Sequence, residues 1–171
     1  IFSDRTPLDR AIQQIEPLTA NEIAGMAVFQ EMNCAVCHAG ALLSDNAFHN
    51  IGVRPWTEDI GREAVTGNSD DKSRFKTPGL RNVELRGPYF HNGGKATLED
   101  VVELYRVGGE FAAPNINTDV IQPLNLTLQQ RADLAAFMRR PLTDPRVQNE
   151  RPPFDRPKLF TESDRVPVVD W

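Results

Sequence analysis

Cys34 and Cys37 stand three positions apart, and His38 follows the second directly. Two thiols at that spacing can each add to one vinyl group of a single porphyrin, and the next residue then carries an imidazole beneath the iron. Cys34-Ala35-Val36-Cys37-His38 is the attachment signature of a c-type haem. Other readings of a close cysteine pair need company that this chain lacks. A redox dithiol sits at a strand-to-helix junction in a thioredoxin-like βαβ pattern, and a zinc site needs a second pair of ligands. The chain has only these 2 cysteines, too close together to staple distant segments. One covalent haem c, held by Cys34, Cys37 and His38, is the expected cofactor.

The sixth ligand of the iron sets the redox potential and separates electron transfer from ligand activation. Met26 and Met32 precede the attachment site on its own side of the porphyrin. Met138 belongs to the last helix and reads as core filler. His49 and His91 are lone histidines on loops, where a hydrogen-bonded structural role is the usual one. Tyr105 faces inward on a helix, and its plain reading is a half-buried aromatic with a partnered hydroxyl. Spacing alone leaves this choice open.

The elements that must position these residues are helical. Thr19 with Glu22, Thr97 with Asp100 and Thr127 with Gln130 each combine an N-cap hydroxyl with an acid or amide three residues on, the reciprocal box that satisfies two orphan amide donors. The first helix runs to about Met32, with Ile23, Met26, Ala27 and Phe29 expected inward and Gly25 leaving room for another helix to cross closely. The second, from Leu98, turns Leu98, Val101, Val102 and Tyr105 inward and ends at Gly108-Gly109. The third, to about Arg140, lines one side with Leu128, Ala132, Ala135 and Met138, with Leu134 and Phe137 beside them, and Pro141 stops it. Residues 40–76 lack periodicity, and no strand pattern of any length is visible. The expectation is an all-α, cytochrome c-like haem domain over 17–140, with three main helices and long loops. Residues 1–16 form an N-terminal arm. An extended Pro-rich arm over 141–171 carries Phe154, Leu159, Phe160 and Trp171 and lies on a surface of this domain or of a neighbour.

The 171 residues suit one core. Hydrophobic residues at 40% and charged residues at 25% describe a folding chain. A net charge of -5 argues against a nucleic-acid partner. No apolar run approaches the roughly 20 residues of a membrane span. The chain opens on Ile1 without a basic leader or apolar signal core, which reads as removal of a leader or of a whole upstream segment. Haem c is attached outside the cytoplasm in bacteria, so a periplasmic or exported location is expected.

Longer motifs carry a resemblance. Phe75-Lys76-Thr77-Pro78-Gly79-Leu80-Arg81-Asn82-Val83, Arg86-Gly87-Pro88-Tyr89-Phe90-His91-Asn92-Gly93-Gly94 and Thr97-Leu98-Glu99 closely resemble the C-terminal haem domain of bacterial di-haem cytochrome c peroxidases and their MauG-type relatives. Phe48-His49-Asn50-Ile51-Gly52-Val53 and Leu142-Thr143-Asp144-Pro145-Arg146-Val147 fit the same family. The resemblance runs over about 17–160. It implies a C-terminal electron-transfer haem, an N-terminal peroxidatic haem and a calcium ion between the two domains. The peroxidases place a Met as sixth ligand in the helix after Thr-Leu-Glu, whereas the MauG-type enzymes, which oxidise protein side chains, place a Tyr. The resemblance therefore implies His38 and Tyr105 as the axial pair, puts His91 and Arg81 near the haem edge, and makes the backbone carbonyls of Arg86 and Pro88 candidate calcium ligands.

With one attachment motif, the peroxidatic haem and its catalytic acid lie outside this chain. The expected partner is a redox protein or an N-terminal haem domain on another chain, within a larger complex. The competing reading is a stand-alone mono-haem electron carrier, or a subunit of a multihaem assembly without catalysis. A five-coordinate haem that binds small ligands is a third.

Overall fold

A computed structural model describes residues 3–157. Its helices begin with one repeated device. Thr6, Thr19, Thr97 and Thr127 each accept the amide of the residue three on and receive that residue's side chain on their own backbone N–H. They open α1 (Pro7–Ile12), α2 (Ala20–Glu31), α4 (Leu98–Val107) and α5 (Leu128–Met138), with the short α3 (Glu63–Thr66) lying between α2 and α4 in the chain. The helix α6 (Pro145–Gln148) is capped by Asp144, with Pro145 in its first turn. Two strands of two residues, β1 (Phe48–His49) and β2 (Phe75–Lys76), pair antiparallel, where the sequence shows no strand pattern.

α2 packs on α5, the close crossing for which Gly25 leaves room. The buried faces agree with the expected ones at Phe29, Leu134, Ala135, Phe137 and Met138 and differ elsewhere. On α2 the buried residues are Glu22, Gly25, Val28 and Phe29, while Ile23 is 50% exposed and Ala27 is exposed. Gly25 sits at the crossing, and residues three and four from it share its face, so Ile23 and Ala27 turn outward. On α5 the buried set is Asp133, Leu134, Ala135, Phe137 and Met138; Leu128 is 77% exposed and Ala132 is exposed too. The Phe29 and Phe137 rings meet at 5.5 Å in a tilted pair between the two helices.

Residues 3–16, expected as an arm, carry α1 and are tied to the domain. α1 packs on the 3-10 turn Arg140–Leu142. Asp9 holds Arg81 in a bidentate pair at 2.8 Å and 2.8 Å. The start of the Pro-rich segment is likewise part of the body: Pro141, Leu142, Thr143 and Asp144 are buried, and Arg146 lies over the Phe154 ring at 5.1 Å. Leu159, Phe160 and Trp171 lie outside the described residues. No described helix is long and apolar enough to cross a membrane.

Candidate haem site

The core is built around a cavity of about 520 Å³, and core residues Phe29, Leu80, Leu98, Val102 and Met138 form part of its wall. Protein interiors close up voids far smaller than this. A space of that size lined mainly by apolar side chains therefore calls for an apolar group to fill it.

The attachment residues arrive at this cavity together. Asn33, in the left-handed conformation at φ 59, ends α2 and turns the chain into the 3-10 turn Cys34–Val36. Cys34, Cys37 and His38 all line the cavity, and both cysteines are free thiols. Burial pushes the Cys34 thiol up to about 11, and burial with Asp45 nearby raises Cys37 as well. A redox dithiol needs the opposite shift, so the thioredoxin-like reading fails on electrostatics as well as on fold. His38 packs near Phe29, with its Nδ1 3.0 Å from the carbonyl of Leu43. Burial holds its pKa down, keeping the ring neutral. With Nδ1–H donating to a carbonyl, Nε2 is left as the lone-pair nitrogen that binds a metal.

α4 supplies the cavity with the face expected to be inward: Leu98, Val101, Val102 and Tyr105 all line it. Its inner stripe is thus the wall of a cofactor pocket. The Tyr105 ring stands 6.5 Å from that of Phe90, and its hydroxyl has no hydrogen-bond partner among the described residues. Burial drives its phenol far above the ordinary range, with the two thiols adding to the shift. With no partner among the described residues, its oxygen is open to a group that enters the cavity.

Both histidines among the other candidates for the sixth position are held by a carboxylate. His91 lines the cavity stacked on Phe75 at 3.5 Å, but its Nε2 is 2.6 Å from Asp59. His49 has its Nε2 2.7 Å from Asp45. Met26 does not line the cavity; Met32 and Met138 do. Arg81, implied by the resemblance to be near the haem edge, instead gives its guanidinium to Asp9 and to the carbonyl of Ala41, and is absent from the cavity wall. Arg86 and Pro88 do line it, and the Arg86 guanidinium donates to the carbonyls of Gly79 and Arg81.

Cys37, Asp45 and His49 bring ligand atoms within 4.8 Å of one another. The cysteine is one of the two thiols of the Cys34–His38 motif, so this grouping lies at that motif. Asp59, the partner of His91, and Asn50, buried beside the cavity, were not legible as site residues. Each acts through a contact distant in sequence, and only the Phe48–Val53 motif signalled Asn50.

Cavity, thiols, oriented imidazole and unpartnered phenol together fit a covalent haem c. Residues 23–140 match the family model described as Cytochrome c. The chain is 34% identical to cytochrome-c peroxidase IdrP1 of Denitromonas iodatirespirans, over 92% of this chain and 50% of the relative. It is 34% identical to methylamine utilization protein MauG of Methylorubrum extorquens, over 81% of this chain and 39% of that protein. Among solved structures, a MauG-like protein associated with microbial copper homeostasis superposes with a TM-score of 0.79 at 28% identity, covering 91% of this chain and 52% of that one. The chain spans half or less of the length of these curated relatives.

Proposed function

The chain belongs to the cytochrome c family, and on that premise we propose that it is the electron-transfer haem domain of a di-haem peroxidase or MauG-type oxidoreductase. In this reading it exchanges electrons with a peroxidatic haem carried outside these residues, in a periplasmic complex. The observation that carries the proposal is Tyr105: an inward phenol without a partner, in the same apolar cavity as Cys34, Cys37 and His38.

Haem c, when bound, supplies a one-electron ferric/ferrous couple. Cys34 and Cys37 would anchor it covalently. His38 would present Nε2 to the metal, its ring fixed by the Leu43 carbonyl. Tyr105 would give up its proton and present a hard, anionic oxygen, which favours the ferric state and lowers the potential. Phe29, Leu98 and Val102 exclude water from the cavity wall. Calcium belongs to this proposal only as a site shared with a further domain, because the carbonyls of Arg86 and Pro88 fall short of the roughly 6–8 oxygens the ion takes.

The test is the isolated holo-chain. It takes up one electron reversibly, carries one haem per polypeptide by intact mass, and does not turn over hydrogen peroxide on its own. Catalytic peroxide consumption by the chain alone would overturn the proposal.

A further inference from the structure

After α4 the chain runs without helix or sheet until α5, and this stretch covers one part of the cavity with Val120, Ile121 and Leu124. Its two ends are pinned by backbone. Gly52 O accepts the amides of Glu110 at 2.9 Å and Phe111 at 3.1 Å, and Leu124 N–H donates to Arg106 O at 2.9 Å. Between them, over residues 112–123, the hydrogen bonds are local turns with a single exception among the described residues. Asn115 Nδ2 donates to Lys72 O at 2.7 Å and to Asp70 O at 3.3 Å, while its Oδ1 accepts Asn50 Nδ2 at 2.8 Å. Asn50 is buried, itself lines the cavity, and uses its own Oδ1 to accept Gly52 N–H at 3.0 Å. One amide side chain thus joins the middle of the strap to the loop behind β1 and to the turn before β2.

We propose that Asn115 is a positioning residue that clips the strap over the haem cavity and so controls the access of water and small ligands to that cavity. This rests on haem c filling the cavity, the premise of the proposed function. Between its pinned ends the clip is the strap's one hydrogen-bonded tie to the body among the described residues, and stretches with so few such ties are the ones that open locally. Removing the Asn115 contacts leaves two carbonyls and the Asn50 amide seeking new partners. Each such bond is worth about 1 kcal/mol net, so losing two or three raises the open population by at least about tenfold.

The experiment is stopped-flow association of cyanide with the ferric holo-chain carrying Tyr105→Phe, the parent here, in which no phenol oxygen competes for the sixth position. Asn115→Ala added to that parent is expected to bind cyanide at least about tenfold faster than the parent alone. Thr118→Ala, on the exposed part of the same strap, is expected to leave the rate unchanged. Asn115→Asp keeps the acceptor for Asn50 but points a carboxylate at two carbonyls, and is expected to match Asn115→Ala; it serves if the alanine variant does not fold. Rates within twofold of the parent in a folded variant overturn the clip, even where its unfolding midpoint falls, because a merely structural role moves the midpoint alone. Acid-acetone extraction of the unaltered protein separates the two ideas: pigment lost there overturns the haem premise itself.

Discussion

Gly25 of α2 lies so close to Asp133 of α5 that a Cβ on the glycine would stand 1.9 Å from the Asp133 carbonyl oxygen and 2.8 Å from the Phe137 Cβ. The nearest of these neighbours is backbone, which cannot swing aside. Gly25→Ala must therefore push the two helices apart at the centre of the core, at a cost of about 2–3 kcal/mol by the usual range for overpacking. Chemical denaturation of the holo-protein checks this. A change below about 0.5 kcal/mol would mean that the two helices do not meet at this glycine.

Tyr105→Phe keeps the ring that faces Phe90 and removes the one polar atom α4 gives to the cavity. The expected outcome is conversion of a low-spin ferric spectrum to high spin. The potential should also rise by on the order of 0.1 V, a fraction of the roughly 0.8 V range that axial ligands command. The sign follows from losing an anionic donor that prefers the ferric state. Absorption and EPR spectra with a redox titration decide it, and an unchanged spectrum eliminates tyrosine ligation.

Much of this site could be read from local pattern. Three capping boxes placed α2, α4 and α5, the cysteine spacing brought both thiols and His38 to one cavity, and Gly25 announced a close crossing. The box of Thr6 and Asp9 with Pro7 between them carries the same signal for α1, yet the segment read as an arm because it is so short. The buried faces were harder. Ile23 and Leu128 are apolar and exposed, since the contact of α2 with α5 selects the sides holding Gly25 and Phe137, not the greasiest sides. Contacts between residues far apart in sequence, such as Asn50 with Asn115 or Arg81 with Asp9, leave no periodic trace at all.

Arg81 gives a direct test of that last kind of contact. Its side chain and that of Asp9 are largely buried, at 16% and 14% exposed, in a bidentate pair that fastens α1 to the loop after β2. Burial tends to raise the Asp9 pKa, but Arg81 and Thr6 outweigh it and hold the carboxyl below its ordinary value. Arg81→Ala is expected to cost about 2 kcal/mol of stability, the scale of a charged hydrogen-bonded pair. The reduction potential should stay where it was, because the guanidinium does not line the cavity. A shifted potential at unchanged stability would return Arg81 to the haem edge.

Asp144 makes the acid limb of the stability curve predictable. Its side chain is 0% exposed, and burial alone would raise its pKa. Arg146 bonds it through its backbone N–H, Nε and Nη2 at 2.9, 3.1 and 2.6 Å, Ser3 donates at 3.2 Å, and together they hold the carboxyl at about 2. The unfolded chain takes up this proton near pH 4, whereas the folded chain resists until about pH 2. The stabilisation is therefore complete above pH 5 and disappears as the pH falls through that window, amounting to about 2 kcal/mol. Asp144→Asn should lose about that much at pH 7, and its stability should fall less between pH 5 and 2 than that of the parent. Subtracting the two curves removes the shared contribution of Asp9, Glu22 and Glu99, whose carboxyls are also held low. Denaturant titrations at stepped pH measure the difference. Parallel curves would show that Asp144 ionises alike in the folded and unfolded chains, and that the link from the N-terminal segment through Ser3 to Arg146 carries no electrostatic stabilisation.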